Sequence, residues 1–217
     1  MNIDCESPSK PGTAIAWRKS LPVEEIVVIK SCRCQVALIG NYAIMNIYAP
    51  SGSDRKQERH LFFSQDIFNA MSLFPHRSYV LGGDFNSILK PIDVEAGKGF
   101  NQKYCVSLKD LVVGCGLVDA FRFEFPQKQE YTFFRPGVAA SRLDRFYVPR
   151  QLSNSLHVSH LPSLSDHCAT LLKIKLGVNF KCSAKLRRTT YWKLNTSILE
   201  EEEFVTSFKG LWNEIST

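Results

Sequence analysis

Over its first fifty positions the chain alternates short apolar runs with Pro, Ser, Gly and Asn. Residues 13–17, 26–29, 35–39 and 42–48 are rich in β-branched and aromatic side chains, the composition of strands. Gly40-Asn41 between the last two reads as a tight hairpin turn, so these strands are expected to form an antiparallel sheet. From Lys56 to Phe74 the period changes: Leu61, Ile67, Phe68, Met71 and Phe74 fall on one helical face, and Pro75 stops the helix. Residues 79–81 predict a short buried strand running into Gly82-Gly83-Asp84-Phe85-Asn86. A polar loop with Pro91, Gly97 and Gly99 leads to a second helix from about Tyr104 to Val113. Strands are expected again at 117–121, 131–134, 143–148 and 169–174. Many strands with two or three helices predict sheets covered by helices.

Beyond Leu176 the pattern shifts. Residues 181–193 carry Lys181, Lys185, Arg187, Arg188 and Lys193 without an acid. Ser197, with Glu200 at capping-box spacing, then opens an amphipathic helix bearing Ile198, Val205, Phe208, Trp212 and Ile215. A boundary near Gly177 divides a domain over 1–176 from a basic linker and helix over 177–217.

The 217 residues carry a net charge of +6, and a basic excess steers polyanions toward a protein by long-range Coulomb attraction. The seven cysteines include no Cys-x-x-Cys pair, which excludes the common zinc spacings and suits small buried side chains in a reducing compartment. No run is long enough to span a membrane. The polar, Pro-broken start lacks a basic region followed by an apolar one, so no secretory signal is expected. Nucleus or cytoplasm is the expected location.

Chemistry concentrates at strand ends. Asp84 and Asn86 follow an apolar strand and alternate onto one side of its end; the same residues also suit a plain turn. Ser165-Asp166-His167 sets a carboxylate beside an imidazole, one anionic ligand and one proton carrier near neutral pH, or else forms an exposed polar loop. Asp144, in Arg142-Leu143-Asp144-Arg145, opens an apolar strand and needs a partner there. An arginine is one candidate, and a histidine held in one tautomer is the other. Tyr48 and Thr132 are each a hydroxyl at a strand end or simply part of the core.

Taken in order, Tyr48-x-Pro50, Gly83-Asp84-x-Asn86, Thr132-Phe133, Leu143-Asp144-Arg145 and Ser165-Asp166-His167 resemble the series shared by the endonuclease/exonuclease/phosphatase superfamily. Tyr131-Thr132-Phe133-Phe134-Arg135 with Ser141-Arg142-Leu143-Asp144 is most similar to its LINE retrotransposon branch. So is the tail 191–195, similar to the segment that joins such endonucleases to a reverse transcriptase. The resemblance covers about residues 12–217. It implies an α+β, four-layer α/β sandwich of two mostly antiparallel sheets flanked by helices. It also implies a Mg2+- or Mn2+-dependent DNA endonuclease, with DNA and a reverse-transcriptase domain of the same open reading frame as partners. Residue by residue, it implies that Asp84 orients or deprotonates the attacking water and binds metal, while Asn86 bonds the phosphate or that water. His167 stabilises the developing charge and Asp144 holds His167. Asp166 serves the metal or the water, and Tyr48 bonds a phosphate oxygen. Thr132, Ser141 and Ser165 support this set or touch the DNA backbone.

The chain departs from the pattern at its start. The family's Asn and metal-binding Glu lie upstream of the strand matching residues 13–17, and Glu6 stands too close to that strand to replace the Glu. Two core strands and the best carboxylate are therefore expected to be missing, with activity impaired. Two further readings stay open. One is a noncatalytic nucleic-acid-binding remnant using the basic residues of 181–193. The other is a diesterase acting on a phosphoinositide or sphingolipid, against which the tail weighs.

Overall fold

A computed structural model describes residues 2–5, 12–95, 105–137, 139–175 and Thr206. The chain divides into two units, Met1–Lys181 and Cys182–Thr217, and every described strand belongs to the first. The boundary expected near Gly177, the basic stretch 181–193 and the helix expected from Ser197 lie outside the described residues, Thr206 apart, as do Glu6, Gly97 and Gly99.

Ten strands form among the described residues: β1 (Asn2–Asp4), β2 (Thr13–Ile15), β3 (Glu25–Lys30), β4 (Cys34–Ile39), β5 (Tyr42–Tyr48), β6 (Ser78–Asp84), β7 (Leu117–Asp119), β8 (Asp144–Pro149), β9 (Leu156–Leu161) and β10 (Ala169–Ile174). Six of them make one sheet in the order β3-β4-β5-β6-β8-β7. Neighbours run antiparallel except β5 and β6, which are parallel because the helical crossover between them returns β6 in the same direction. The Gly40-Asn41 turn closes β4 onto β5 as expected, with Gly40 in the left-handed region at φ 53°.

Alternation gives the sheet two distinct faces. Val36, Leu38, Met45, Ile47, Leu81 and Tyr147 point to the main core, where Phe62, Phe63, Ile67 and Ala70 meet them. Val80 and Val148 point the other way, to a smaller cluster with Phe121 and Val158. On that second face lie two hairpins, β1-β2 and β9-β10, each antiparallel. Side chains of the large sheet fasten β2: Gln35 Nε2 donates to the Thr13 carbonyl and Asn46 Nδ2 to that of Ala14, both at 2.9 Å. The hairpins do not pair with each other. Ala14–Ala16 and Thr170 instead line a cleft floored by Ile44, Asn46, Gly82 and Phe146.

The crossover helix is α1 (Lys56–Leu61), a π-helical turn (Phe62–Ile67) and α2 (Phe68–Ser72). Its buried face carries Arg59, Phe62, Phe63, Ile67 and Ala70, while Leu61 and Phe68, expected on that face, are exposed. The π turn inserts an extra residue per turn and shifts the face. The second helix is α3 (Val106–Gly114). Residues 117–121 are a strand only to Asp119, whose side chain accepts from the Arg122 N–H at 3.1 Å and so caps α4 (Ala120–Glu124). Residues 131–134 form no strand. Phe133 instead makes isolated bridges to Ser141 and His167, which ties the two site-bearing loops together.

Candidate active site

Three adjacent strands deliver the site. Tyr48 of β5 stands opposite Asp84 of β6, and Asp84 stands opposite Asp144 of β8. All three side chains point to the hairpin face, two positions on from Asn46, Gly82 and Phe146 respectively. The approach of β6 to β5 depends on Gly83. Its φ is +132°, and a Cβ there would lie 2.0 Å from the Ile47 carbonyl oxygen. His167 reaches this face from the loop between β9 and β10.

Asp84 is held from below by its own turn. Asn86, at φ 44°, turns back so that its N–H donates to Asp84 Oδ1 at 2.8 Å and its Nδ2 to Oδ2 at 2.9 Å. The same Nδ2 also reaches the Ala49 carbonyl at 2.9 Å, pinning the loop after Tyr48. Arg59, buried on the crossover helix, braces that loop by donating to Pro50 O at 2.5 Å.

Asp144 bonds His167 rather than an arginine. Its Oδ2 lies 2.8 Å from His167 Nδ1, which leaves Nε2 for another partner. Thr132, fully buried, supports this pair through the backbone: its Oγ1 accepts from the N–H groups of Leu143 and Asp144, both at 3.0 Å. Its carbonyl accepts from Cys168 N at 2.7 Å. Buried Ser141 anchors residues 132 and 133 through its carbonyl. Exposed Ser165 wraps the histidine: its Oγ accepts from His167 N at 3.0 Å and donates to the His167 carbonyl at 3.1 Å. The Phe133 ring lies 4.9 Å from the imidazole.

Ligand atoms of Asp84, Asp144 and His167 all lie within 4.8 Å of one another. Burial, and then the charge of Asp144, push the Asp84 carboxyl up to about 6. Its hydrogen bond to Asp144 holds the His167 imidazolium above the usual range, against the opposing effect of burial. Two carboxylates crowded in this way repel unless a proton or a cation lies between them. That donor set fits a divalent ion bound through one or two carboxylates and otherwise by water. Asp166 is exposed and stands outside the three-residue group; its carbonyl accepts from Phe134 N at 2.7 Å. Tyr48 carries the Arg33 guanidinium over its ring at 4.8 Å.

Sequence reasoning overlooked the charges beneath the site. Asp93, wholly buried, takes Arg142 Nε and Arg122 Nε at 2.9 Å each. Arg142 also bonds Asp119 at 2.6 Å. Arg145, opposite Gly83, donates to the Ser87 carbonyl at 2.5 Å and so clamps the far side of the Asp84–Asn86 turn. A charged residue inside a strand flags such a network, but the partners lie 23 to 58 positions away.

Residues 4–167 match the Endonuclease/Exonuclease/phosphatase family. Over 176 residues the chain is 30% identical to the Transposon TX1 uncharacterized 149 kDa protein of Xenopus laevis, covering 79% of this chain and 13% of that protein. Its fold matches an AP endonuclease from Archaeoglobus fulgidus, with TM-score 0.56, 20% identity, and coverage of 66% of this chain and 65% of that one. It also matches the AP endonuclease LMAP from Leishmania major, with TM-score 0.54, 20% identity and coverage of 65% and 54%. The chain thus spans a small part of the transposon protein's length.

Proposed function

Because the chain belongs to the endonuclease/exonuclease/phosphatase family, we propose that it is a divalent-metal-dependent phosphodiesterase that nicks DNA for a LINE-type retrotransposon. The observation that carries this reading is the convergence of Asp84, Asp144 and His167 from three separate segments on one sheet end. Kinship with a transposon protein supports the biological setting. It also supports a reverse-transcriptase domain in the same open reading frame as partner, acting on nuclear or cytoplasmic DNA. Among the described residues no helix is long and apolar enough to cross a membrane.

Asp84 and Asp144 would hold the cation, Mg2+ or Mn2+, with Asp166 serving the metal or the water from the solvent side. When bound, the ion supplies neutralisation of phosphate oxygens and a more acidic water. Asp84, ionised above about 6, orients the attacking water and accepts its proton. Asn86 keeps that carboxylate aimed. His167, locked by Asp144 through Nδ1, presents Nε2 to the phosphate and carries a proton toward the developing charge. The Tyr48 hydroxyl donates to a phosphate oxygen. Thr132, Ser141 and Ser165 fix the loops that bring these groups together. Two carboxylates are a sparse set for a hard cation, so millimolar metal and slow turnover are expected.

Nicking of supercoiled plasmid with Mg2+ tests the assignment. The parent chain is expected to convert plasmid to open circle. His167→Ala is expected to lower the rate at least about 100-fold, the variant remaining folded at the assay temperature. Equal rates in parent and variant would remove His167 from the chemistry. No nicking by either, with DNA binding retained, would leave the noncatalytic binding reading.

A further inference from the structure

A cavity opens on the face of the sheet that bears the main core, away from Asp84, Asp144 and His167. It lies at the edge strand β7, between α3 and the segment 89–93, and encloses about 270 Å3. Tyr147 lines it and is wholly buried; three positions on from Asp144 along β8, its side chain takes the opposite face. Leu89, Val112 and Val118 form walls. Lys90, Phe123 and Arg150, all exposed, stand at the mouth.

Two features of this cavity are left over from the fold. The Tyr147 hydroxyl is shielded from solvent and has no hydrogen-bond partner among the described residues. A buried hydroxyl left in that state is costly. The second feature is charge. Two acids reach the cavity, Asp93 and Asp119, but Arg122 and Arg142 already hold them in ion pairs. Among the described residues no ion pair engages the side chains of Lys90 or Arg150. Apolar walls, one deep hydroxyl and two unpaired cations at the mouth fit an anion of particular shape. It has a flat apolar body, a polar far edge and its charge at the near end.

We propose that this cavity binds a free nucleoside monophosphate. The base lies between Leu89, Val112 and Val118, with an acceptor on its edge taking the Tyr147 hydroxyl. The phosphate lies between Lys90 and Arg150. An inorganic anion would leave the walls without a partner, and an uncharged aromatic would leave the two cations without one. The site is independent of the cleavage chemistry, since the two stand on opposite faces of one sheet, and it stands whether or not the chain nicks DNA.

The test is calorimetric titration of the full chain, without metal, with adenosine monophosphate, adenosine and ribose phosphate. Adenosine, which lacks the phosphate, and ribose phosphate, which lacks the base, are each expected to bind at least about 10-fold more weakly than the nucleotide. Replacing Lys90 and Arg150 together by Met should bring the nucleotide down to the level of adenosine and leave adenosine unchanged. Tyr147→Phe is expected to weaken the nucleotide and adenosine alike by about 2- to 10-fold, and to leave ribose phosphate unchanged. Nucleotide affinity unaltered by the double Met replacement overturns the site and seats the nucleotide elsewhere; its loss in His167→Ala would then locate it at the cleavage site. Ribose phosphate binding as tightly as the nucleotide overturns the base pocket, and no binding of the nucleotide at millimolar concentration overturns the whole. Should Tyr147→Phe lower the melting temperature, the Lys90 and Arg150 replacement, which alters exposed side chains alone, decides.

Discussion

Burial and the adjacent Asp144 push the Asp84 carboxyl up to about 6, so ionising it costs more in the folded chain than in the unfolded one. For a carboxyl shifted in that direction, stability falls as pH rises from the ordinary value of 3.8 to about 6. The raised His167 acts in the same sense. Its contribution is full below 6.5 and is lost as pH climbs through its higher folded value. On the proposed metal site, a cation held by Asp84 and Asp144 would reverse the penalty. Mg2+ is therefore expected to raise the melting temperature at pH 7.5 and to do little at pH 5. Asp84→Asn should raise the metal-free stability at pH 7.5 by on the order of 1 kcal/mol, while abolishing both the Mg2+ response and nicking. Thermal melts at the two pH values, with and without Mg2+, check this; a variant that still responds to Mg2+ would place the ion elsewhere. At this scale the sequence marked Asp84, Asp144 and His167 by their position at strand ends. It did not reveal that Asn86 spends both donors on Asp84 and Ala49, since that depends on one left-handed φ angle.

Elements were legible where composition and period agreed. The β-branched runs of β3, β4 and β5 stand within a residue or two of their expected bounds. β9 went unseen because His157, Ser159 and His160 mask its alternation, and β1 because three mostly polar residues carry no pattern. The crossover helix was legible as a helix and misphased as a face, because a π turn leaves no mark in a 3.6-residue period. β6 was cut short at Leu81, since Gly-Gly ordinarily ends a strand. Here Gly83 continues it, because β5 approaches too closely for any side chain. Gly83→Ala would set a Cβ 2.0 Å from the Ile47 carbonyl at a φ of +132°. It is expected to destabilise the fold by at least about 3 kcal/mol in urea titrations. A loss below about 1 kcal/mol would mean that β5 and β6 do not pair in register down to Tyr48 and Asp84.

Across the whole unit, one buried network joins the segments that support the site. Asp93 from the loop after the Asp84–Asn86 turn, Asp119 at the cap of α4, Arg122 within α4, and Arg142 and Arg145 around β8 meet beneath the sheet. Three guanidinium groups face two carboxylates there, so each acid must serve more than one arginine. Burial alone would raise the Asp93 carboxyl, but Arg145 and Arg142 outweigh it and hold the group below the ordinary value. Its stabilising effect is therefore complete above 3.8 and is lost as pH falls through the lower folded value. Asp93→Asn leaves three cations about one carboxylate, and unpairing a buried charge costs about 3 to 5 kcal/mol. Urea unfolding at pH 7 is expected to register a loss of that size, together with weaker nicking, because Arg145 also clamps the Ser87 carbonyl behind Asp84. The double replacement of Asp93 by Asn and Arg142 by Met should recover part of the stability, since one unpaired cation leaves with its partner. Additive losses in that pair would show that the two side chains do not share one ion network.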